Sequence, residues 1–157
     1  EVEGTARYHA EGWYEVPQSY ELVYKYADGV VLRCGSSQPG GTTFLGTKGK
    51  LHVNRGRLEA EPAEILKVPE DDYKVKLPRS PGHYEDWEQC VRTGKAPICD
   101  VEIGHRSATA CHLGNIALRL GRKVRWDPVK EAVLGDEEAG AMTRKAYRAP
   151  WAIPSSA

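Results

Sequence analysis

The stretch Pro97-Ile-Cys-Asp-Val-Glu-Ile-Gly-His-Arg-Ser-Ala-Thr-Ala-Cys-His-Leu-Gly-Asn-Ile-Ala-Leu-Arg-Leu-Gly121 decides how the rest of the chain is read. Asp100 stands where a helix N-cap accepts from orphan backbone N–H groups, and Gly121 stands where a left-handed residue ends a helix. The spacing therefore predicts one long helix, with Arg119, Arg122 and Lys123 at the negative end of its dipole. At 3.6 residues per turn the helix has two stripes. Ser107, Ala110, Cys111, Gly114, Ala117 and Gly121 make a small-residue face flanked by Leu113, Leu118 and Leu120, which predicts close packing on a sheet. His105, Thr109, His112, Ile116 and Arg119 make a more polar face, directed at water, a second subunit or a pocket.

Upstream, the apolar period is two rather than 3.6 as far as about residue 60. Tyr20, Leu22, Tyr24 and Tyr26 alternate with Glu21, Val23, Lys25 and Ala27, and Asp28-Gly29 separates this run from Val30-Val-Leu-Arg-Cys34. Asp-Gly between alternating runs predicts a hairpin with a two-residue type I′ turn. Val2 to Glu11 alternates loosely, with Trp13, Tyr14 and Pro17 in a loop. Thr42–Gly46, Lys50–Arg55 and Arg57–Glu61 read as further strands, for a sheet of about five antiparallel strands. After Pro62 the pattern weakens into an exposed connection. Ser80-Pro81 then predicts a helix start with Ser as N-cap, Tyr84, Trp87 and Val91 share a helical face, and Gly94 ends it. Beyond the long helix, Lys123–Asp127 is read as a strand, Asp136 as the cap of a short helix through Arg144, and the tail Tyr147-Arg-Ala-Pro-Trp-Ala-Ile-Pro154 as a docked segment.

With 157 residues and 40% hydrophobic content the chain supports one core, and a single domain over 1–157 is expected. Lys+Arg and Asp+Glu balance at 22 each, which argues against a nucleic-acid partner. No apolar run reaches the roughly 18 residues of a membrane span. The opening Glu1-Val-Glu-Gly-Thr is neither a signal peptide nor an initiating Met, so the sequence reads as cut from something longer. Cys34, Cys90, Cys99 and Cys111 form no C-x-x-C pair and read as reduced, mostly buried thiols.

Several constellations suggest chemistry. Gly41-Thr-Thr-Phe-Leu-Gly-Thr-Lys48 comes near a phosphate loop, but Lys does not directly follow the second Gly and the stretch leads into a strand rather than a helix, so a β-turn is favoured. No G-x-G-x-x-G occurs, and no cofactor is expected to be bound by this stretch of chain alone. His105 and His112 lie about two turns, roughly 10.5 Å, apart on the helix, too far for a helical zinc pair, and no metal site is expected. His105 and Arg106 near a helix N-terminus are candidates for contact with a polar or anionic ligand. The competing and favoured reading pairs Arg106 with Glu102 at i, i+4 and packs His105 under a loop. Trp13 and Tyr14 are candidates for an aromatic wall. The Tyr20, Tyr24 and Tyr26 face suits either a sugar ring or a subunit interface.

Six segments, in order and spacing, carry a resemblance: Tyr26-Ala-Asp-Gly-Val30, Phe44–Ala60, Pro97–Arg122, Trp126-Asp-Pro128, Gly135-Asp-Glu-Glu-Ala139 and Tyr147-Arg-Ala-Pro-Trp151. The chain resembles the C-terminal domain of Gfo/Idh/MocA-type oxidoreductases (glucose–fructose oxidoreductase, inositol dehydrogenase and relatives), of the sort found in Planctomycetes and Bacteroidetes. The resemblance implies an α+β fold, an open, mainly antiparallel sheet with helices packed on one face. It also implies a substrate-binding and oligomerisation domain whose parent enzyme uses NAD or NADP, held by a separate N-terminal Rossmann domain, to transfer hydride to or from a sugar or polyol. The family's Glu-Lys-Pro lysine and Asp-x-x-x-His element match no position here, so no catalytic residue is carried over, and this stretch by itself is expected to be inactive. Weak substrate contacts are expected from His105 and Arg106, with Trp13 and Tyr14 beside them, and a homo-oligomer is expected through an uncovered sheet face of Tyr and Val side chains. The compartment, cytoplasmic or periplasmic, stays open. The alternative is a non-enzymatic carbohydrate- or protein-binding β-sheet module using the tyrosine face.

Overall fold

A computed structural model describes residues 1–151. In chain order the elements are β1 (Val2–Tyr8), β2 (Pro17–Lys25), β3 (Val31–Gly35), β4 (Thr42–Gly46), β5 (Gly49–Asn54), β6 (Arg57–Glu61), α1 (His83–Thr93), α2 (Val101–Leu120), β7 (Trp126–Asp127), β8 (Ala132–Val133) and α3 (Glu137–Ala141), with 3-10 turns at Ala63–Lys67 and Glu70–Asp72. Every strand pairing is antiparallel, and the fold is α+β with open sheets. The five-stranded sheet read from the sequence is instead two three-stranded sheets, β1-β2-β3 and β4-β5-β6, with β7-β8 as a short ribbon. The Gly- and Ser-rich loop Gly35–Gly41 ends one ladder before the next begins, and the chain divides there into two compact units.

The first unit comprises Glu1–Ser37 and the chain from Glu102 onward. Register sets its faces: Val2 opposes Tyr24 and Gly4 opposes Leu22, while Leu22 opposes Cys34 and Tyr24 opposes Leu32. Alternation puts Val2, Gly4, Ala6, Tyr20, Leu22 and Tyr24 on one side of the sheet. Of the tyrosine row, Tyr20 and Tyr24 are therefore not an uncovered surface, while Tyr26, past the end of β2, stays exposed. Tyr20 and Tyr24 pack against the core formed by Val2, Leu22, Leu113, Ile116, Ala117, Leu118, Val124 and Ala139. The uncovered side carries Glu3, Thr5, Arg7, Glu21, Val23, Lys25 and Arg33, a mixed polar face.

Helix α2 lies on this sheet as its small-residue stripe predicts. At Gly114 an added Cβ would overlap the Tyr24 hydroxyl and come within 2.9 Å of Leu22 Cδ1. The missing side chain lets Tyr24 reach the helix backbone, where its hydroxyl donates to the Ala110 carbonyl at 3.1 Å. Burial pushes the Tyr24 phenol up to about 12. The helix ends at Gly121, whose φ of 63° is the left-handed cap expected. Val124 then returns to the sheet, exchanging backbone hydrogen bonds with Val2 at 2.8 and 2.9 Å.

The hairpin between β2 and β3 is present with a different turn. Tyr26 N–H donates to the Val30 carbonyl and Gly29 N–H to the Tyr26 carbonyl, leaving Ala27, Asp28 and Gly29 as a three-residue loop. Only Gly29 has positive φ, 89°, while Asp28 uses its carboxylate to accept from Val30 N–H at 3.1 Å. This is the three-residue hairpin with a left-handed Gly, whereas type I′ would need positive φ at two residues.

The second unit spans Gln38–Val101. Phe44 opposes Leu51, Leu51 opposes Ala60 and Val53 opposes Leu58, so these five residues share one apolar sheet face. The reverse face carries the Lys50–Glu61 ion pair at 2.5 Å and the contact of Thr43 Oγ1 with His52 Nδ1 at 2.8 Å. No residue of this unit is buried, and Phe44 and Leu58 are each 56% exposed. Helix α1 starts at His83 behind Gly82 rather than at the predicted Ser80 cap. The Ser80 hydroxyl accepts from Gly82 N–H at 3.2 Å, one step too early to cap the helix. Tyr84, Trp87 and Val91 share a face as read, and all three are exposed.

Cys34, Cys99 and Cys111 are free but exposed and Cys90 is half-buried; for Cys111 the reason is that α2 buries Gly114 and Ala117 rather than the turn that carries it. The Lys123–Asp127 strand shrinks to Trp126–Asp127, and α3 stops at Ala141. In the tail, read as docked, Tyr147 and Trp151 are exposed instead, and Ala152, Ile153 and Pro154 lie outside the described residues. Among the described residues no helix is long and apolar enough to cross a membrane.

Candidate functional site

The polar stripe of α2 lines a recess. All five of its members, His105, Thr109, His112, Ile116 and Arg119, border a cavity of about 780 Å³ within the first unit. That volume falls in the range that holds a sugar-sized ligand. The sequence left this stripe open between water, a subunit and a pocket, and the pocket is what the fold builds. The opposite lining comes from Tyr8, the Glu15–Pro17 segment, Trp126 of β7, Glu131 and the Met142–Lys145 segment after α3. None of these was singled out as a site residue, because each reaches the cavity only through tertiary placement.

His105 is anchored by Glu131. Its Nε2 lies 2.7 Å from the Glu131 carboxylate, both side chains being about half exposed. Glu131 is the one non-glycine residue with positive φ, 50°, among the described residues. It closes the loop between β7 and β8, where Asp127 accepts from Val129 N–H at 2.9 Å and Lys130 N–H at 3.0 Å. These two backbone donors hold the Asp127 carboxyl below its usual range. A left-handed Glu costs about 1–3 kcal/mol, a strain that surrounding structure must maintain. Here the loop hydrogen bonds maintain it and the carboxylate meets the imidazole as a result.

Arg106 takes the structural role favoured from its spacing. Nε donates to Glu102 at 2.6 Å and Nη1 to the Pro128 carbonyl at 2.9 Å, so the guanidinium joins α2 to the same loop that carries Glu131. Arg106 does not line the cavity. Trp13 and Tyr14 are 98% and 74% exposed and do not line it either, although Glu15, Val16 and Pro17 just after them do.

The far end of α2 is tied to α3. Arg122 donates to both Asp136 oxygens at 2.8 and 3.0 Å and to Glu138 at 2.6 Å. Asp136 also caps α3 by accepting from Ala139 N–H at 3.0 Å. Arg122, with that N–H, brings the Asp136 carboxyl down to about 2. This clamp fixes where α3 begins, and the Met142–Lys145 segment that lines the cavity follows directly after that helix.

Among the described residues no group of His, Cys, Asp or Glu is gathered to hold a metal ion. The glycine-rich Gly41–Lys48 stretch is β4 and the turn after it, so its backbone offers no helix N-terminus to a nucleotide phosphate.

An open-sheet α+β domain with a ligand-sized recess along one long helix is what fold and site together define. Residues 9–153 match the model of the Gfo/Idh/MocA "oxidoreductase family, C-terminal alpha/beta domain". The chain belongs to that family as its C-terminal domain. Comparison with curated proteins and with solved structures gave no match.

Proposed function

We propose that this chain is the substrate-binding and oligomerisation domain of an NAD(P)-dependent oxidoreductase acting on a sugar or polyol. The observation that carries the reading is the cavity beside α2 in a chain matched to the family over residues 9–153. Its lining combines an indole, Trp126, suited to the C–H face of a sugar ring, with His105, His112, Thr109 and Asn115 as hydrogen-bonding groups. The chain's own contribution is to bind and orient the substrate hydroxyls and to exclude water. The dinucleotide would be held by another part of the enzyme. His105, steadied by Glu131, is the substrate contact among the residues first named; Arg106 positions the Glu131 loop, and Trp13 and Tyr14 stand at the rim-forming segment.

The rival β-sheet module would need an open tyrosine face, and Tyr20 and Tyr24 are packed against the core. Self-association is proposed through the apolar face of β4–β6, where Phe44 and Leu58 are exposed.

Ala108→Trp tests the reading, because Ala108 lines the cavity and is itself exposed. In the NAD(P)-dependent enzyme carrying this domain, KM for its sugar or polyol should rise at least ten-fold, with affinity for NAD(P)H unchanged. An unchanged KM would refute the proposed site.

A further inference from the structure

The charges around the cavity are unequal in a way that specifies the ligand further. Glu131 is already engaged by His105 at 2.7 Å, leaving Glu15 as the remaining acidic side chain in the lining. Against it stand Arg119 from the last turn of α2 and Arg144 and Lys145 from the segment after α3. None of these three cations has a side-chain partner among the described residues, whereas the neighbouring Arg106 is held by Glu102 and the Pro128 carbonyl and Arg122 by Asp136 and Glu138. Three cations from two separate elements thus border one recess, with a single free carboxylate to offset them. The Arg122–Asp136 clamp ties the start of α3 to the end of α2, and Arg144 and Lys145, about 25 positions beyond Arg119, follow that helix, so the convergence comes from the fold rather than from sequence proximity.

We propose that the ligand of this cavity carries an oxyanion, as a sugar acid or sugar phosphate does, and that Arg119, Arg144 and Lys145 hold it. This rests on the reading of the cavity as the substrate site. Guanidinium groups recognise carboxylate and phosphate through paired N–H donors, and charge-assisted hydrogen bonds of this kind are roughly twice as strong as neutral ones. Trp126 and the histidines are then left for the ring and its hydroxyls. A neutral polyol would leave the cationic cluster uncompensated and should bind more weakly.

Titration calorimetry on the 157-residue chain, with gluconate, glucose 6-phosphate, sorbitol and inorganic phosphate as probes, tests this. At least one of gluconate and glucose 6-phosphate should bind ten-fold or more tightly than sorbitol, and which one does so separates a carboxylate site from a phosphate site. Arg119→Gln and Arg144→Gln should each weaken that ligand at least five-fold, Arg119→Lys should recover most of the loss, and Arg33→Gln, on the other side of the sheet, should change nothing. Circular dichroism melts of each variant check folding. Equal binding of sorbitol and the anionic probes, unaffected by Arg119→Gln and Arg144→Gln, overturns the oxyanion while leaving the cavity as a polyol site. Tightest binding of inorganic phosphate, with no gain from a sugar, also overturns it. Binding of none of the probes, or binding insensitive to Ala108→Trp, overturns the substrate site and this inference together.

Discussion

Replacing Gly114 by Ala puts the packing of α2 on its sheet to a direct test, because two effects of opposite sign compete at one atom. In a solvated helix the change would stabilise by about 1 kcal/mol through helix propensity. Here the new Cβ overlaps the Tyr24 hydroxyl and meets Leu22 Cδ1 at 2.9 Å and Tyr24 Cζ at 3.3 Å. Overpacking of this kind costs about 1–3 kcal/mol. Displacing Tyr24 also breaks its hydrogen bond to the Ala110 carbonyl, a further loss of about 0.5–1.5 kcal/mol. The net expectation is destabilisation by about 2 kcal/mol, or a fall in Tm of about 4–8 °C for a chain of this size. Gly104, in the same helix, has open space where its Cβ would go, so Gly104→Ala should stabilise, by up to about 1 kcal/mol. Urea and thermal melts followed by circular dichroism measure both. In a Tyr24→Phe background the overlap with the hydroxyl is gone, so Gly114→Ala should cost clearly less, a coupling that a double-mutant cycle reads out. If Gly114→Ala proves as stable as the parent, or if the cycle shows no coupling, the close approach of Tyr24 to the helix is wrong.

The other predictions concern the clamp, the loop and the exposed face. Asp136 has a folded pKa of about 2, below its unfolded value, so its stabilising contribution is complete above about pH 4 and lost as pH falls toward 2. Asp136→Asn should lower Tm at neutral pH and flatten the dependence of Tm on pH in that window, as measured by scanning calorimetry from pH 2 to 6. Glu131→Gly should leave stability unchanged or raise it by up to about 2 kcal/mol by relieving the left-handed backbone, while weakening ligand binding through loss of the His105 partner. A variant that loses stability and keeps affinity would contradict the assigned role. Phe44→Lys should shift sedimentation toward smaller species if the β4–β6 face mediates self-association, and an unchanged profile counts against that surface. Spectrophotometric titration should find Tyr24 ionising at about 12, well after exposed tyrosines, and Tyr24→Phe should remove that late step.

Local signals were legible in the sequence and long-range ones were not. The long helix, its left-handed Gly121 end and its two stripes follow from period and capping alone, and the polar stripe is the one that borders the cavity. Helical spacing also identified the Glu102–Arg106 pair. Spacing carries no comparable signal for Glu131, 26 positions after His105, because the two meet only once the β7–β8 loop folds back onto α2. Arg144 and Lys145 were likewise invisible as cavity residues, since α3 is too short to show a periodic face. The tyrosine row was correctly placed on one side of β2, but alternation cannot tell which side a helix will cover. The glycine at 114 held that information, as the point where Tyr24 fits against α2. For β1 to β6, period two located each strand but could not say whether β3 and β4 join in one ladder, and the two-residue β8 is too short to show a period.

The central claim is that ligand binds along the polar stripe of α2, and amide chemical-shift mapping on the labelled chain addresses it most directly. Addition of gluconate, glucose 6-phosphate or sorbitol should perturb His105, Thr109, His112, Arg119 and the Glu131 and Arg144 amides together, with dependence on ligand concentration. Perturbations confined to residues 38–101, or none at all with any of the three, would contradict it.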